Sequence, residues 1–263
     1  MKQYFRVLTI AGSDSGGGAG IQADIKTISA CGGYAASAIT AITAQNTLGV
    51  QAVVPVPVAC VRQQITAVLE DIGADAVKIG MLHSAEVVHT VATTLQPFAI
   101  RNIVLDPVMV STSGHRLIED RATQSLLHDL IPMARVITPN IPEAEVLLGR
   151  KDIREGELSE AAEALAHLTG VSVLLKAGHL DADQLTDVLY SVEDKQVYTY
   201  SSPRIHTCNT HGTGCTLSSA VATYLAKGLA LPEAIGAAKT YLDNAIRIGA
   251  EYKIGHGFGP VTF

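Results

Sequence analysis

The stretch Val7-Leu8-Thr9-Ile10-Ala11-Gly12-Ser13-Asp14-Ser15-Gly16-Gly17-Gly18-Ala19-Gly20 decides the fold class. A short apolar run, Val7 to Ala11, gives way at once to a loop of glycines, serines and one aspartate. That is the pattern of a strand buried on both faces, followed by a tight turn toward a helix. The same grammar continues along the chain. Val77 to Ile79, Ile103 to Leu105, Val136 to Thr138 and Val171 to Leu175 read as buried strands. Val58 to Ile72, Ala85 to Leu95, Ala122 to Ile131 and Leu158 to Leu168 read as the helices between them. Continuous apolar strands alternating with helices imply an α/β protein with a parallel sheet covered on both sides. After Lys176 the grammar changes: Asp187 to Val192 and Gln196 to Tyr200 are close enough in sequence to form an antiparallel hairpin, and two helices, Thr213 to Lys227 and Pro232 to Gly249, complete the pattern. No linker or repeat interrupts it, so one domain over residues 1–263 is expected.

Composition narrows the function. The 263 residues are 48% hydrophobic and 17% charged, with a net charge of −6. This describes a compact enzyme-like domain rather than a disordered one. An acidic balance without a basic run or interleaved aromatics argues against a nucleic-acid partner. No apolar stretch is long enough to span a bilayer, so no membrane partner is expected. The start, Met1 to Arg6, lacks the apolar segment and cleavage site of a signal peptide, and the four cysteines, Cys31, Cys60, Cys208 and Cys215, read as reduced thiols in a cytoplasm.

In open parallel sheets ligands bind beyond the carboxyl ends of the strands. The residues at those ends are Gly12-Ser13-Asp14, Met81, Asp106, Asn140 and Lys176. The glycine loop has Gly18, Gly20 and Ala23 at dinucleotide-fingerprint spacing. However, no acidic residue lies between Asp24 and Glu70, where the fingerprint needs one about 20 positions on, and the chain contains no Gly-Lys dipeptide from which to build a P-loop.

A second loop carries sharper chemistry. Asn209-Thr210-His211-Gly212-Thr213-Gly214-Cys215 runs into the apolar helix Thr216 to Leu225. Small residues at a helix start leave backbone N–H groups free, and the helix end carries partial positive charge, so a phosphoryl group suits it. Cys215 sits on the same turn. A helix N-terminus lowers a thiol pKa, making Cys215 a candidate acid/base or nucleophile, against the alternative of a buried cysteine packing the helix. His206, Cys208, His211 and Cys215 fall within ten residues, but in no common zinc spacing.

Other positions carry similar pairs of readings. Asn140-Ile141-Pro142-Glu143 starts a helix with a carboxylate in its first turn, either as a cap or, with Asp106, as a magnesium site. Lys176 ends an apolar strand, either as an edge lysine or as neutralising charge for a nucleotide. Gln45 follows an Ala, Ile and Thr stretch, either capping the loop or reading a ring nitrogen beside an amino group, since an amide offers both donor and acceptor.

Taken together, Ala11 to Asp24, Thr43-Ala44-Gln45-Asn46-Thr47, Lys78-Ile79-Gly80-Met81, Asp106-Pro107-Val108-Met109, Asn140 to Glu143 and Gly212 to Cys215 resemble, in order and over nearly the whole chain, the hydroxymethylpyrimidine/phosphomethylpyrimidine kinases of thiamin biosynthesis. These belong to the ribokinase-like superfamily. The resemblance implies a three-layer αβα fold with a mostly parallel central sheet and a small antiparallel hairpin. It implies ATP and Mg²⁺, a homodimer, and phosphorylation of 4-amino-5-hydroxymethyl-2-methylpyrimidine and then of its monophosphate. It places substrate contacts at Gly12, Ala19, Asp24, Gln45, Met81 and Val108, metal-linked carboxylates at Glu143 and Asp106, the phosphate-side lysine at Lys176, and the anion hole at Gly212, Thr213 and Gly214. Cys215 stands where sugar kinases of the superfamily carry an aspartate base. One departure is visible: Lys176-Ala177-Gly178-His179 has alanine where the family often has a glycine, which alters how closely that backbone approaches a nucleotide. Related kinases with the same cysteine accept pyridoxal or pyridoxine, so a pyridoxal/pyridoxine kinase is the enzymatic alternative. A non-catalytic pyrimidine-sensing regulator is the other, and the retained turn, thiol, lysine and carboxylates speak against it.

Overall fold

The computed structural model describes residues 3–109, 120–178 and 183–263. Among the described residues the strands are β1 (Arg6–Asp14), β2 (Tyr34–Asn46), β3 (Gly49–Pro55), β4 (Ala76–Ile79), β5 (Ile103–Leu105), β6 (Val136–Ile137), β7 (Ser172–Leu175), β8 (Gln184–Ser191) and β9 (Gln196–Pro203). They form one sheet in the order β3-β2-β1-β4-β5-β6-β7-β8-β9. The strands from β2 to β7 in that order are parallel, β3 runs antiparallel to β2, and β8 and β9 run antiparallel at the other edge. The helices are α1 (Gly20–Ala30), α2 (Val58–Asp71), α3 (Ala85–Leu95), α4 (Asp120–Ser125), α5 (Ile141–Leu148), α6 (Leu158–Thr169), α7 (Thr213–Ala226) and α8 (Leu231–Gly249).

Alternation along each strand builds two cores. Leu8, Val77, Ile137 and Val173 face α2, α3, α5 and α6, while their neighbours Val7, Ala76, Val136 and Leu174 face α1, α7 and α8. Successive strand side chains point to opposite faces, so a strand apolar at every position must be covered on both. The expected three layers follow from this.

Two local readings change. The helix expected over Ala122 to Ile131 is α4 followed by a π turn, Leu126–Leu130, and a 3-10 turn, Ile131–Met133. Pro132 lies within that last turn and cannot donate to a continuing ladder. The expected hairpin is longer than its apolar core, because pairing runs from Gln184↔Pro203 to Ser191↔Gln196 through polar residues on the solvent side. A second hairpin, β2 with β3, closes the opposite edge, and sequence periodicity had not marked it.

Candidate active site

The loop after β1 is wound around one carboxylate. Asp14 Oδ1 accepts from the Gly16 N–H at 2.7 Å, and Oδ2 accepts from Gly18 N–H at 3.0 Å and Ala19 N–H at 2.8 Å. His211 Nε2 reaches the same Oδ2 at 2.9 Å, joining this loop to the start of α7. Burial raises the Asp14 pKa, but His211 and the backbone donors outweigh it and hold the carboxyl below its usual value.

At the N-terminus of α7, Gly212 takes φ +82° and caps the helix without a side chain. A Cβ there would collide with the Gly18 carbonyl oxygen, so only glycine lets the two loops meet. Thr216 N–H closes the first helical bond to Gly212 O at 2.9 Å, while the Gly214 and Cys215 N–H groups find no acceptor among the described residues. Two open amides at a positive helix end make a seat for an anion. Facing that turn, Lys176 Nζ pairs with Asp106 Oδ1 at 2.8 Å, and a Cβ on Gly214 would lie 3.3 Å from Asp106 Oδ2 and 3.5 Å from Lys176 Nζ.

Glu143 is both cap and cavity wall. Its Oε2 accepts the Asn140 N–H at 2.8 Å while Asn140 Oδ1 accepts the Glu143 N–H at 2.9 Å, a reciprocal capping box that fixes the carboxylate at the start of α5. Burial, with Asp106 adding to it, pushes the Glu143 carboxyl up to about 7 against the pull of Lys176. Lys176 is itself raised: burial opposes its charge, and Asp106 and Glu143 more than restore it.

Cys215 corrects one expectation. Burial pushes its thiol up to about 11, with Lys78 pulling down and Asp24 and Asp106 pushing up, so the helix end does not yield a thiolate in the free protein. The Gly20 N–H faces the sulfur. Burial outweighs the helix end, and the Asp24 and Asp106 carboxylates add to it against the pull of Lys78.

Gly12, Ala19, Gln45, Met81, Asp106, Val108, Glu143, Lys176 and Gly212 to Cys215 all line one cavity of about 730 Å³ along the carboxyl ends of the strands. Asp24 does not line it. Its carboxylate is fully buried one layer behind, held by Thr9 Oγ1 at 2.6 Å, Ser219 Oγ at 2.7 Å and Lys78 Nζ at 2.9 Å from each oxygen. Among the described residues no three His, Cys, Asp or Glu side chains gather to hold a metal ion, and the His206, Cys208, His211 and Cys215 run forms no cluster. His211 turns to Asp14 instead, and Cys208 is exposed.

Sequence reading missed the roles of His211, Lys78 and the residues of the far half of the cavity. The sequence offers His211 only as a metal-ligand candidate, because its partner Asp14 is remote in the chain. Lys78, a lone ammonium inside the apolar run of β4, had to find a buried partner, and that demand was the available signal. The far half of the cavity, where Asp187, Lys239 and Asp243 converge, gave no local signal, since it joins the β8–β9 hairpin to α8. There Lys239 Nζ meets Asp187 Oδ2 at 2.9 Å, and Asp187 Oδ1 accepts the Ala177 N–H at 2.8 Å. Ala177 thus keeps its methyl fully buried and its amide occupied. His179 of that segment lies outside the described residues.

Comparison with known proteins agrees with this geometry. The family model described as phosphomethylpyrimidine kinase matches residues 14–262. The hydroxymethylpyrimidine/phosphomethylpyrimidine kinase of Rhizobium meliloti is 49% identical over 97% of this chain and 95% of its own length. The thiamine biosynthesis bifunctional protein of Geobacter sulfurreducens is 50% identical over 97% of this chain, which spans 51% of that longer relative. Among solved structures, an ADP complex of pyridoxal kinase from Bacillus subtilis superposes with a TM-score of 0.90 at 37% identity, covering 99% of this chain and 97% of that one. With the glycine loop, the capping box and the Gly-Thr-Gly-Cys turn assembled on one ribokinase-like sheet, the chain belongs to the phosphomethylpyrimidine kinase family.

Proposed function

We propose that the chain transfers the γ-phosphoryl group of ATP to the hydroxymethyl oxygen of 4-amino-5-hydroxymethyl-2-methylpyrimidine, and then phosphorylates the monophosphate to the pyrophosphate used for thiamin. The observation that carries this reading is the meeting, in one cavity, of the open Gly214 and Cys215 amides with the Cys215 sulfur and the Gln45 amide. The amides and Lys176 hold the charge that spreads over the migrating group. Cys215 orients the accepting hydroxyl as a thiol, and in its thiolate form, the minor species near neutral pH and a growing one at higher pH, takes the hydroxyl proton as the new P–O bond forms. Gln45 holds the aminopyrimidine edge, with Met81 and Val108 against the ring and Gly12 and Ala19 leaving room for it. Asp187, Lys239 and Asp243 serve the nucleoside end.

The carboxylates fit a magnesium ion. Glu143 is a buried acid lifted to about 7 beside a second carboxylate, a charge arrangement that a divalent cation relieves. Bound there with water, Mg²⁺ supplies charge neutralisation to the phosphate chain. Lys176 divides its charge between the two carboxylates, Asp106 and Glu143.

Two wider readings complete the proposal. The chain works as a single kinase domain in the cytoplasm, where its four free cysteines stay reduced, and as a homodimer. Exposed Ile42 and Val54, cross-strand partners on the β2–β3 hairpin, supply an apolar face for the second copy. Among the described residues no helix is long and apolar enough to cross a membrane.

An ADP-release assay with three acceptors tests the function. The pyrimidine and its monophosphate are each expected to drive ADP release, with kcat/KM for the pyrimidine above that for pyridoxine. A preference for pyridoxine would move the assignment to the pyridoxal kinase branch. Binding of pyrimidine without ADP release would mark a sensor.

A further inference from the structure

Between the glycine loop and Gln45 lies a chain of polar groups whose directions are forced. Asp14 receives N–H donors from Gly16, Gly18 and Ala19, so its oxygens act as acceptors throughout. The ring nitrogen facing it, His211 Nε2 at 2.9 Å, must therefore carry the proton. The Gln45 amide nitrogen, as placed, faces that same Nε2 at 3.3 Å, which sets two donors against each other. Half a turn about the Gln45 Cγ–Cδ bond resolves the conflict. The carbonyl then accepts from His211, and the NH₂ comes to lie 3.1 Å from Thr43 Oγ1. Thr43 can accept there, because its own hydroxyl donates to the Ser13 carbonyl at 3.0 Å.

The ring is also held in place. A Cβ on Gly18 would lie 2.5 Å from His211 Cδ2 and 3.0 Å from Pro260 Cβ, and the His211 N–H donates to Gly259 O at 3.0 Å. The imidazole is thus clamped between the glycine loop and the segment around Gly259 and Pro260, with its side chain only 13% exposed.

We infer that His211 is a specificity-determining positioning residue, which fixes the Gln45 amide with its carbonyl toward the imidazole and its NH₂ toward Thr43. This rests on the pyrimidine reading above and adds a direction to it. The free N–H of Gln45 then meets a ring nitrogen on the Thr43 side, and the free carbonyl lone pair meets an exocyclic amine on the His211 side. An aminopyrimidine presents that donor–acceptor pair on adjacent atoms. A pyridoxine ring, whose hydroxyl and nitrogen are not adjacent, presents only half of it.

Two measurements on the full chain test this. Long-range ¹H–¹⁵N correlation of the imidazoles, with His211 assigned by the signal lost in His211→Gln, is expected to show the Nε2–H form, and an Nδ1–H tautomer would overturn the inference. In kinetics, His211→Leu removes the donor, while His211→Gln can carry an amide N–H to the same place. The leucine variant is expected to raise KM for the pyrimidine about tenfold or more and to narrow the preference over pyridoxine, with KM and preference changing more than kcat and with glutamine restoring most of the loss. Unchanged KM and preference, or a loss confined to kcat, would count against it. If His211→Leu fails to fold, the tautomer in the wild-type protein decides. A wild-type protein that does not phosphorylate the pyrimidine at all defeats the functional reading before any variant is compared.

Discussion

Glu143 shows how one side chain serves both fold and chemistry. The capping box holds it at the start of α5, and that placement buries an acid whose carboxyl is pushed up from 4.5 to about 7. A pKa raised by folding means the native state prefers the proton. The resulting stabilisation is complete below about pH 4.5 and is lost as pH rises through about 7. Without magnesium, wild-type protein should therefore lose melting temperature across that window relative to Glu143→Gln, and added Mg²⁺ should close the gap at pH 8 for wild type alone. Melting curves from pH 4 to 8 that run parallel for the two proteins would contradict this. His211 and Lys78 escaped sequence reading for a related reason. The partners that give them meaning, Asp14 and Asp24, lie 197 and 54 positions away in the chain.

At the scale of elements, the turn Gly212 to Cys215 depends on close backbone approach. Gly212→Ala adds a methyl where the Gly18 carbonyl sits, at a φ of +82° that alanine disfavours. The first turn of α7 should shift away from the glycine loop, lowering the melting temperature and cutting kcat by about 10²-fold through misplaced amides. A variant with wild-type stability and rate would show that the two loops need not touch. Strong periodicity made most elements readable in advance: α3 spans Ala85–Leu95 and β5 spans Ile103–Leu105, as their apolar runs indicate. The glycine loop, the Asn140 cap and the Gly-Thr-Gly-Cys turn were readable because each is local. The β2–β3 hairpin was not, because its outer residues, among them Ile42, Val53 and Val54, are exposed apolar groups without a clean polar alternation. Cys215 was located by sequence but its acidity was not, since desolvation by surrounding layers is a property of the packed fold.

For the whole molecule, one sheet carries two halves of a cavity. Strand tips and the start of α7 line one end, and the β8–β9 hairpin with α8 lines the other. At the opposite edge the β2–β3 hairpin exposes Ile42 and Val54, the face assigned above to the proposed dimer. Sedimentation should find a dimer for wild type and a monomer for Val54→Lys, while a wild-type monomer at micromolar concentration would remove the dimer from the account. The central claim is that the Cys215 sulfur touches the accepting alcohol beside the anion seat. Steady-state rates of wild type and Cys215→Ala with the hydroxymethylpyrimidine, measured from pH 6 to 10, test it most directly. The thiol pushed up to about 11 predicts a wild-type kcat that climbs with pH, and an alanine variant that is about 10²-fold slower and flat. An alanine variant with near wild-type kcat and the same pH profile would contradict it.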